Sequence, residues 1–491
     1  MTVDWALGGP DLLVVLDRGA RSLRNQIQDQ LRAAIREGRL GAGERLPSTR
    51  HLSELLGVSR GTVVDVYEQL LAEGYVEASV GSGTRVAAMP EVAPARRTPK
   101  VESSPASSAP AVADFEYGIP DLGSVPLTDW SWAVSEATRT LPTAELGDED
   151  PAGSWHLREV VTAYHRRVRS GYADAQDAVV VSGFRQGLAF VLATLAKRGI
   201  QQIALEDPGP REHDVIARRA GLDAVPVPVD DEGIDTGRLR DIGAQAVLLT
   251  PAHQCPTGVA LSPSRRRDLV AWADEVDGVI LEDDYDAEFR YDRQPVGSLQ
   301  GLNPDRVIAL GSVSKTLAPA IRLGWVLAPK RFVAQIVEEK RLSSRGAPGL
   351  DQEALALLME SGRFDRHLRR VREIYRARRD VLSAEVELAF GPGRLQGLAA
   401  GCHALLRLPD GTSESAVVET AATMGVRVNG LDNYRFVAAD GEAESGPLPP
   451  ALVLGFGNVS EQRISRGVRT LAKAVERQFS GGGRVGTPNQ P

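Results

Sequence analysis

The sequence predicts a multidomain chain: a small, mainly α unit with a β-hairpin wing, then a large α/β domain on a mostly parallel sheet. Three observations carry this. At 491 residues with 42% hydrophobic content, the chain is long enough for at least two ordinary globular cores. Up to residue 88 it reads as short amphipathic helices closed by a glycine-containing hairpin, whereas from Asp114 short apolar strands alternate with longer helices. Between them, residues 89–113 are rich in Pro, Ala and Ser with no apolar period, so they bury almost nothing and read as a flexible tether. The expected parts are therefore 1–88, 89–113, 114–480 and a disordered tail at 481–491.

Charge and cysteine usage narrow the function classes. The net charge is −8, yet from Asp17 to Arg60 nine arginines face only five acids, which confines any DNA contact to the start of the chain. The opening MTVDWALGGP carries an acid and no basic region, and no apolar run approaches the roughly eighteen residues of a membrane span. Secretion and membrane spanning are not expected, and a cytoplasmic location follows by default. Cys255 and Cys402 are far apart with no C-x-x-C neighbourhood, so neither a disulfide framework nor a metal site is expected.

In the small unit, Leu23, Ile27, Leu31 and Ile35 recur at steps of four and form one helical stripe ending near Gly38. Ser48 can cap a second short helix with Leu52, Leu55 and Leu56 inward, and Gly57 suits the left-handed residue that ends it. Ser59 can cap a third, with Val63, Val66, Tyr67, Leu70 and Leu71 inward and Gly74 closing it. Two short helices joined by a tight turn, the second opening Ser-Arg-Gly-Thr, suit a helix-turn-helix whose small residues let the helix start sit deep in the major groove. Arg60 and Thr62 would face the bases. YVEASVGSGTRVA then alternates around Gly81, Ser82 and Gly83 as a hairpin wing would. Any three-helix unit with a hairpin could give this pattern, but the arginines coincide with the surface that would meet DNA. Over ERLPSTRHLSELLGVSRGTVVDVYEQLLAEGYVEASVGSGTRV the chain resembles the winged helix-turn-helix of GntR-type bacterial regulators. That resemblance implies DNA contacts by Arg50 and Arg60, with Thr62, Gly81 and Gly83 at helix-start and wing positions.

In the large domain, DAVVVSG, QQIALED, DAVPVPV, AQAVLLT, GVILED and RVIALGS read as strands of one sheet, and the loops after them gather at one edge, where open α/β folds bind ligands. Ser182-Gly183-Phe184-Arg185 follows a strand and opens a helix, so its N–H groups could hold a phosphate; a glycine serving only the turn is the alternative. In EDDYD one carboxylate could keep a pyridine nitrogen protonated and a tyrosine could reach the ring hydroxyl; a solvated acidic turn is the rival, and the glycine and final glutamate of a calcium loop are missing. GSVSKTLAPAIRLGW sets Lys315 among Ser312, Ser314, Thr316 and Arg322, a nucleophilic amine beside an anion site, which suits a phosphorylated aldehyde. A surface lysine in a serine-rich loop is the bland reading. Ser312 and Lys315 also form S-x-x-K, but no S-D-N or K-T-G follows.

From Ser182 onward the chain resembles fold type I aminotransferases, and the order winged helix, Pro-rich linker, aminotransferase-like domain is similar to that of the MocR family of regulators. TPAHQCPTG, EDDYDAEFRYD and SVSKTLAPAIRLGW carry the resemblance. It implies pyridoxal 5'-phosphate as cofactor, Lys315 as the Schiff-base residue, Asp283 for the pyridine nitrogen and Tyr285 for the ring hydroxyl. It also implies that Ser312, Arg322 and the Gly183–Arg185 backbone hold the phosphate, with Ser314 beside them. A homodimer follows from the same likeness, with domain exchange as one arrangement the long tether permits and double-stranded DNA as partner. Four departures stand out: Cys255 where an asparagine is usual, Pro210 for the ring-stacking aromatic, Asp148 for a tyrosine, and Val453 for the arginine that clamps a substrate carboxylate. Valine cannot bind a carboxylate bidentately. The reading is a regulator that captures pyridoxal phosphate, or its amino-acid adduct, as effector and controls vitamin B6 metabolism; the alternative is a working aminotransferase with a DNA-binding head.

Overall fold

The computed structural model describes residues 14–19, 22–79, 83–88, 112–147, 150–291, 296–344, 346–436 and 448–480. It divides into two compact units, Met1–Ala106 and Ser107–Pro491. Most of the stretch read as a linker, the whole 481–491 tail, Gly81 and Asp148 lie outside the described residues.

The small unit has α1 (Leu23–Arg36), α2 (Thr49–Leu56) and α3 (Arg60–Ala72), then β1 (Val76–Ser79) paired antiparallel with β2 (Gly83–Val86). Ser48 and Ser59 cap α2 and α3, accepting from the N–H groups of His51 and Thr62, and Gly57 ends α2 at φ 61°. Each cap contributes about 1 kcal/mol. The core is Ile27, Leu31, Leu52, Leu56, Val63, Val66, Tyr67 and Leu70. Leu55 and Leu71 depart from expectation, being 37% and 45% exposed. The buried arc of α3 runs through residues 63, 66, 67 and 70, and one further residue turns about 100° away from it. The loop before α2 also does more than break the chain, because Gly43 N and Leu46 N donate to Val86 and Thr84 and extend the hairpin.

The large unit begins with β3 (Ala113–Asp114), then α4 (Leu127–Thr140), α5 (Trp155–Arg169), β4 (Ala178–Val181), α6 (Phe184–Lys197), β5 (Gln202–Asp207), α7 (Arg211–Arg219), β6 (Asp223–Asp230) and β7 (Gly233–Ile234). There follow α8 (Thr236–Asp241), β8 (Ala246–Leu249), α9 (Pro263–Glu275), β9 (Val279–Asp284), β10 (Val307–Ser312), β11 (Gly324–Leu327), α10 (Lys330–Ser344), α11 (Gly349–Glu360) and α12 (Arg363–Phe390). Strands β4 to β11 form one eight-stranded sheet in the order β4-β11-β10-β9-β8-β5-β6-β7. The pairs β10/β9, β9/β8, β8/β5 and β5/β6 are parallel, while β11 and β7 run against their neighbours. Successive residues serve opposite faces. Ile203, Leu205, Ile308 and Leu310 pack with α6 and α10, whereas Ala204, Val247 and Ile280 pack with α9. Strands covered on both faces must be apolar throughout, which is why they read as unbroken hydrophobic runs.

The chain closes with β12 (Leu395–Gln396), β13 (His403–Arg407), α13 (Glu414–Thr423), β14 (Val426–Arg427), β15 (Asn429–Gly430), β16 (Ala451–Gly455) and α14 (Glu461–Ser480). These supply a second sheet, β12-β13-β16-β15. β14 pairs with β3, so Ala113, read as the last linker residue, is already buried in this unit.

Candidate functional site

In the small unit Arg60 opens α3 and is exposed. Arg50 is 81% exposed and pairs with Glu54 at 3.1 Å, an exposed i,i+4 pair holding it by only a few tenths of a kcal/mol. Thr62 points back at its own cap, with Oγ1 2.8 Å from Ser59 Oγ, so its hydroxyl is engaged before any base is met. Gly83 has φ 82°, and a Cβ there would stand 3.1 Å from the Arg45 guanidinium. Arg85, bridged to Arg45, donates from Nη1 to Gly43 O at 2.9 Å. The hairpin and the loop bridged to it thus carry two arginines that reading by family position passed over, Arg85 in the alternating hairpin segment and Arg45 in the loop before α2. An exposed helix start flanked by a basic hairpin can grip phosphate on both sides of a groove.

In the large unit the sheet brings Gly183, Asp207, His253, Asp283 and Lys315 to the same edge, because each lies at or just past the end of one of the strands β4, β5, β8, β9 and β10. Gly183 caps α6 at φ 91° and ψ 171°, and a Cβ there would lie 3.4 Å from the Arg322 guanidinium nitrogens. Arg322, itself left-handed at φ 55°, donates from Nη2 to Ser182 O at 2.6 Å. Gly324 separates them from Ser312, since its Cβ would stand 3.1 Å from Gly183 Cα and 3.2 Å from Ser312 Cβ. A helix start, a guanidinium and a serine therefore converge on one small volume, the composition of a phosphate cradle. Ser314 is half-buried in the loop after Ser312, and buried Thr316 Oγ1 has no partner among the described residues. Phe184 turns its ring to His213 at 5.6 Å, and the Arg185 side chain is exposed and paired with Glu212, leaving its main chain to face the cradle.

Lys315 Nζ donates to Gly118 O and stands 5.7 Å over the Tyr117 ring. The Asp283 carboxylate has no hydrogen-bond donor among the described residues. Burial, reinforced by Asp284 and Asp286, pushes Asp283 well above the usual carboxyl range, and Lys315 counters this. Tyr285 donates from Oη to His253 O at 2.8 Å. His253 Nδ1 is 2.9 Å from Asp286 Oδ2, and the His403 ring lies 4.5 Å from that of His253. Burial lowers His253 to about 3 and His403 well below its ordinary value, so both rings are neutral. His253, Asp286 and His403 are of metal-ligating types, their donor atoms within 4.8 Å of one another. His253 Nδ1 pairs with Asp286, while its buried Nε2 has no hydrogen-bond partner among the described residues.

The sequence departures have physical counterparts. Val453 lies on β16 opposite Leu405 and Asn429, fully buried with Cys255, Tyr285, Leu431 and Tyr434. Pro210 begins α7, and one turn on His213 is buried against Phe184, lowered to about 4 by burial and then by Arg185. Cys255 and Cys402, far apart in sequence, both lie near Asp286, and burial raises both thiols. Tyr117 and Gly118 were missed; their only signal was an aromatic and a glycine soon after the Pro-rich stretch.

Residues 23–86 match the gntR family of bacterial regulatory proteins and residues 122–421 match aminotransferase class I and II. A Corynebacterium glutamicum pyridoxine biosynthesis transcriptional regulator, PdxR, is 31% identical over 455 residues, spanning 92% of this chain and 96% of that one. The probable rhizopine catabolism regulatory protein MocR of Rhizobium meliloti is 28% identical over 480 residues, 94% of this chain and 96% of the relative. Pyrococcus horikoshii kynurenine aminotransferase superposes with TM-score 0.68 at 22% identity, over 76% of this chain and 92% of that one, a likeness of fold. Thermus thermophilus LysN, an α-aminoadipate aminotransferase, gives 0.65 at 23% identity over 75% and 92%. Together these define a transcriptional regulator in which a GntR-type winged helix-turn-helix precedes a fold type I aminotransferase-like domain. The chain belongs to the MocR family, in which PdxR-type regulators are among its relatives. Among the described residues no helix is long and apolar enough to cross a membrane.

Proposed function

We propose that this regulator binds pyridoxal 5'-phosphate covalently at Lys315 as its effector and controls vitamin B6 metabolism, acting as a homodimer on double-stranded DNA. The observation that carries the reading is a contrast within one site. The amine, the buried carboxylate and the anion cradle are all present, while the position suited to a substrate-carboxylate clamp is the buried Val453. The residues fit the cofactor: Asp283 is a buried carboxylate without a donor, and Gly183 leaves open the space beside Arg322 that any other residue's Cβ would fill.

When bound, pyridoxal phosphate supplies an aldehyde that condenses with an amine and a ring that withdraws electrons from it. Lys315 offers Nζ for that bond. Asp283 can hold a proton at a ring nitrogen, with Tyr285 beside a ring hydroxyl. Arg322, Ser312, Ser314 and the main chain at Gly183, Phe184 and Arg185 bind the phosphate. With Val453 in a dry wall, an amino acid gains no bidentate carboxylate contact, which favours capture over transamination. The pyridoxine-biosynthesis regulator among the relatives supports the B6 assignment.

The decisive measurement is the visible spectrum of the intact chain with added pyridoxal phosphate. A new band absent from Lys315→Ala, accompanied by a changed affinity for operator DNA, is expected. Sustained turnover of an amino acid would instead favour the aminotransferase reading.

A further inference from the structure

We propose that Tyr117 and Gly118 are positioning residues for the Lys315 amine, and that forming the covalent bond at Lys315 releases the segment by which the chain comes into the large unit. This rests on Lys315 being the site of aldehyde capture. The segment is fixed at both ends. Upstream, β3 pairs with β14, Phe115 N donates to Arg427 O at 2.8 Å, and Gly455 N donates to Phe115 O at 2.9 Å. Downstream, Asp121 N donates to Tyr375 Oη at 2.9 Å and Asp121 pairs with Arg378 at 3.2 Å. Between them, the one hydrogen bond to the main chain of residues 117–120 among the described residues comes from Lys315 Nζ, to Gly118 O. Gly118 has φ 92°, and a Cβ there would stand 3.0 Å from Nζ, so glycine alone brings the carbonyl this close without strain. The Tyr117 ring lies beneath the same nitrogen and meets His403, Tyr285 and Tyr434 edge-on at 4.9, 6.3 and 6.2 Å, which ties the segment to the walls of the site.

The chemistry of capture acts on this contact. The ammonium first loses a proton to solvent. Its nitrogen then adds to the aldehyde carbon, a C=N bond forms, and the carbonyl oxygen leaves as water with the two remaining Nζ hydrogens. A nitrogen bonded in this way has room for one proton at most, where the ammonium had three. Gly118 O thus loses its donor, and the cation above Tyr117 is removed or spread over a larger group. Among the described residues the main chain of 117–120 then keeps no hydrogen bond, and the segment is held by its ends and by the packing of the Tyr117 ring. Occupancy of the site becomes a change in the chain nearest the connection to the small unit. Besides Tyr117, Lys315 is faced by Asp283 near the end of β9, by Asp286 just beyond it, and by Cys402 and His403 at β13.

Backbone hydrogen exchange on the full-length chain tests this, with pyridoxal phosphate as probe and the visible band read in parallel. Ligand-free Lys315→Ala should exchange amides 116–121 several-fold faster than wild type, while amides 113–115 are unchanged. Saturating the wild type should bring amides 116–121 to the same fast rate. Equal exchange in Lys315→Ala and wild type overturns the anchoring role, and a band without faster exchange overturns the release. A missing band sinks covalent capture, and release with it, while the alanine arm still decides the anchor. Tyr117→Ala should slow formation of the visible band several-fold by loosening the amine, with Tyr117→Phe retaining the wild-type rate. Lost packing alone would lower stability and leave that rate in place.

Discussion

Glu206 offers a test of how dry the floor of the site is. It lies near the end of β5 and accepts from Thr250 N at 3.0 Å and Thr250 Oγ1 at 2.7 Å, and Thr250 Oγ1 in turn accepts from Cys255 N at 3.1 Å. Burial pushes its carboxyl from the ordinary 4.5 up to about 7 in spite of the two donors. The folded chain therefore keeps a proton that the unfolded chain releases from about pH 4.5 upward, and stability falls as pH rises through that window. The slope is at most ~1.4 kcal/mol per pH unit, giving about 3 kcal/mol in all, and it vanishes once both states are ionised above about pH 7. Glu206→Gln keeps an oxygen for Thr250 but cannot titrate; any mismatch of its amide adds a pH-independent offset. Asp286, Glu282 and Glu288, all raised by burial, titrate in both proteins and cancel in the difference, whereas Asp283 is raised in part by Glu206 itself and so enters it. Urea unfolding can be followed through Trp130, Trp132, Trp155, Trp272 and Trp325, which all belong to the large unit. The variant should gain about 2.5 kcal/mol on wild type between about pH 5 and pH 8. Parallel curves across that range would show that Glu206 is solvated like a surface acid, and would refute the dry floor.

The other predictions concern neighbouring groups. Arg169 is 1% exposed and bonds Asp284 at 2.7 Å with Glu282 beside it; Arg169→Met should cost about 3–5 kcal/mol in denaturant unfolding, and the loss should shrink toward low pH as the stranded acids take up protons. Ser59→Ala removes the cap of α3 and should cost the small unit about 1 kcal/mol by thermal melting. Arg60→Ala should weaken duplex binding by about 1–3 kcal/mol and relax its sequence preference, with the visible band on adding pyridoxal phosphate unchanged. Gly183→Val forces a left-handed β-branched residue against Arg322, so affinity for pyridoxal phosphate should fall by about tenfold or more in a spectral titration, while pyridoxal without phosphate still reacts.

Most of the large sheet was legible because its strands are short apolar runs covered on both faces, and all six runs recognised in the sequence are strands of that sheet. Strand β11 was not separated from the lysine loop, since an antiparallel strand in GWVLAP has the same apolar character as its parallel neighbours. The caps at Ser48 and Ser59 were legible from local chemistry alone. Leu55 and Leu71 were misread because hydrophobic spacing locates an arc to within one residue, and packing decides its edge. In the site, Lys315, Asp283 and Arg322 stand out as charges beside apolar strands. Tyr117, His403 and Asp286 meet Lys315 only through contacts remote in sequence, which no local pattern encodes.

Val453 also bears on how readily a carboxylate clamp could be built into this wall. Its side chain is wholly enclosed by a wall that includes Cys255, Tyr285, Leu405 and Tyr434. A lone arginine introduced there would bring a charge into that apolar wall, at a cost of several kcal/mol. Carboxylate recognition at this position would need several neighbours to change together. The packing around one valine thereby sets a threshold that a single substitution does not cross.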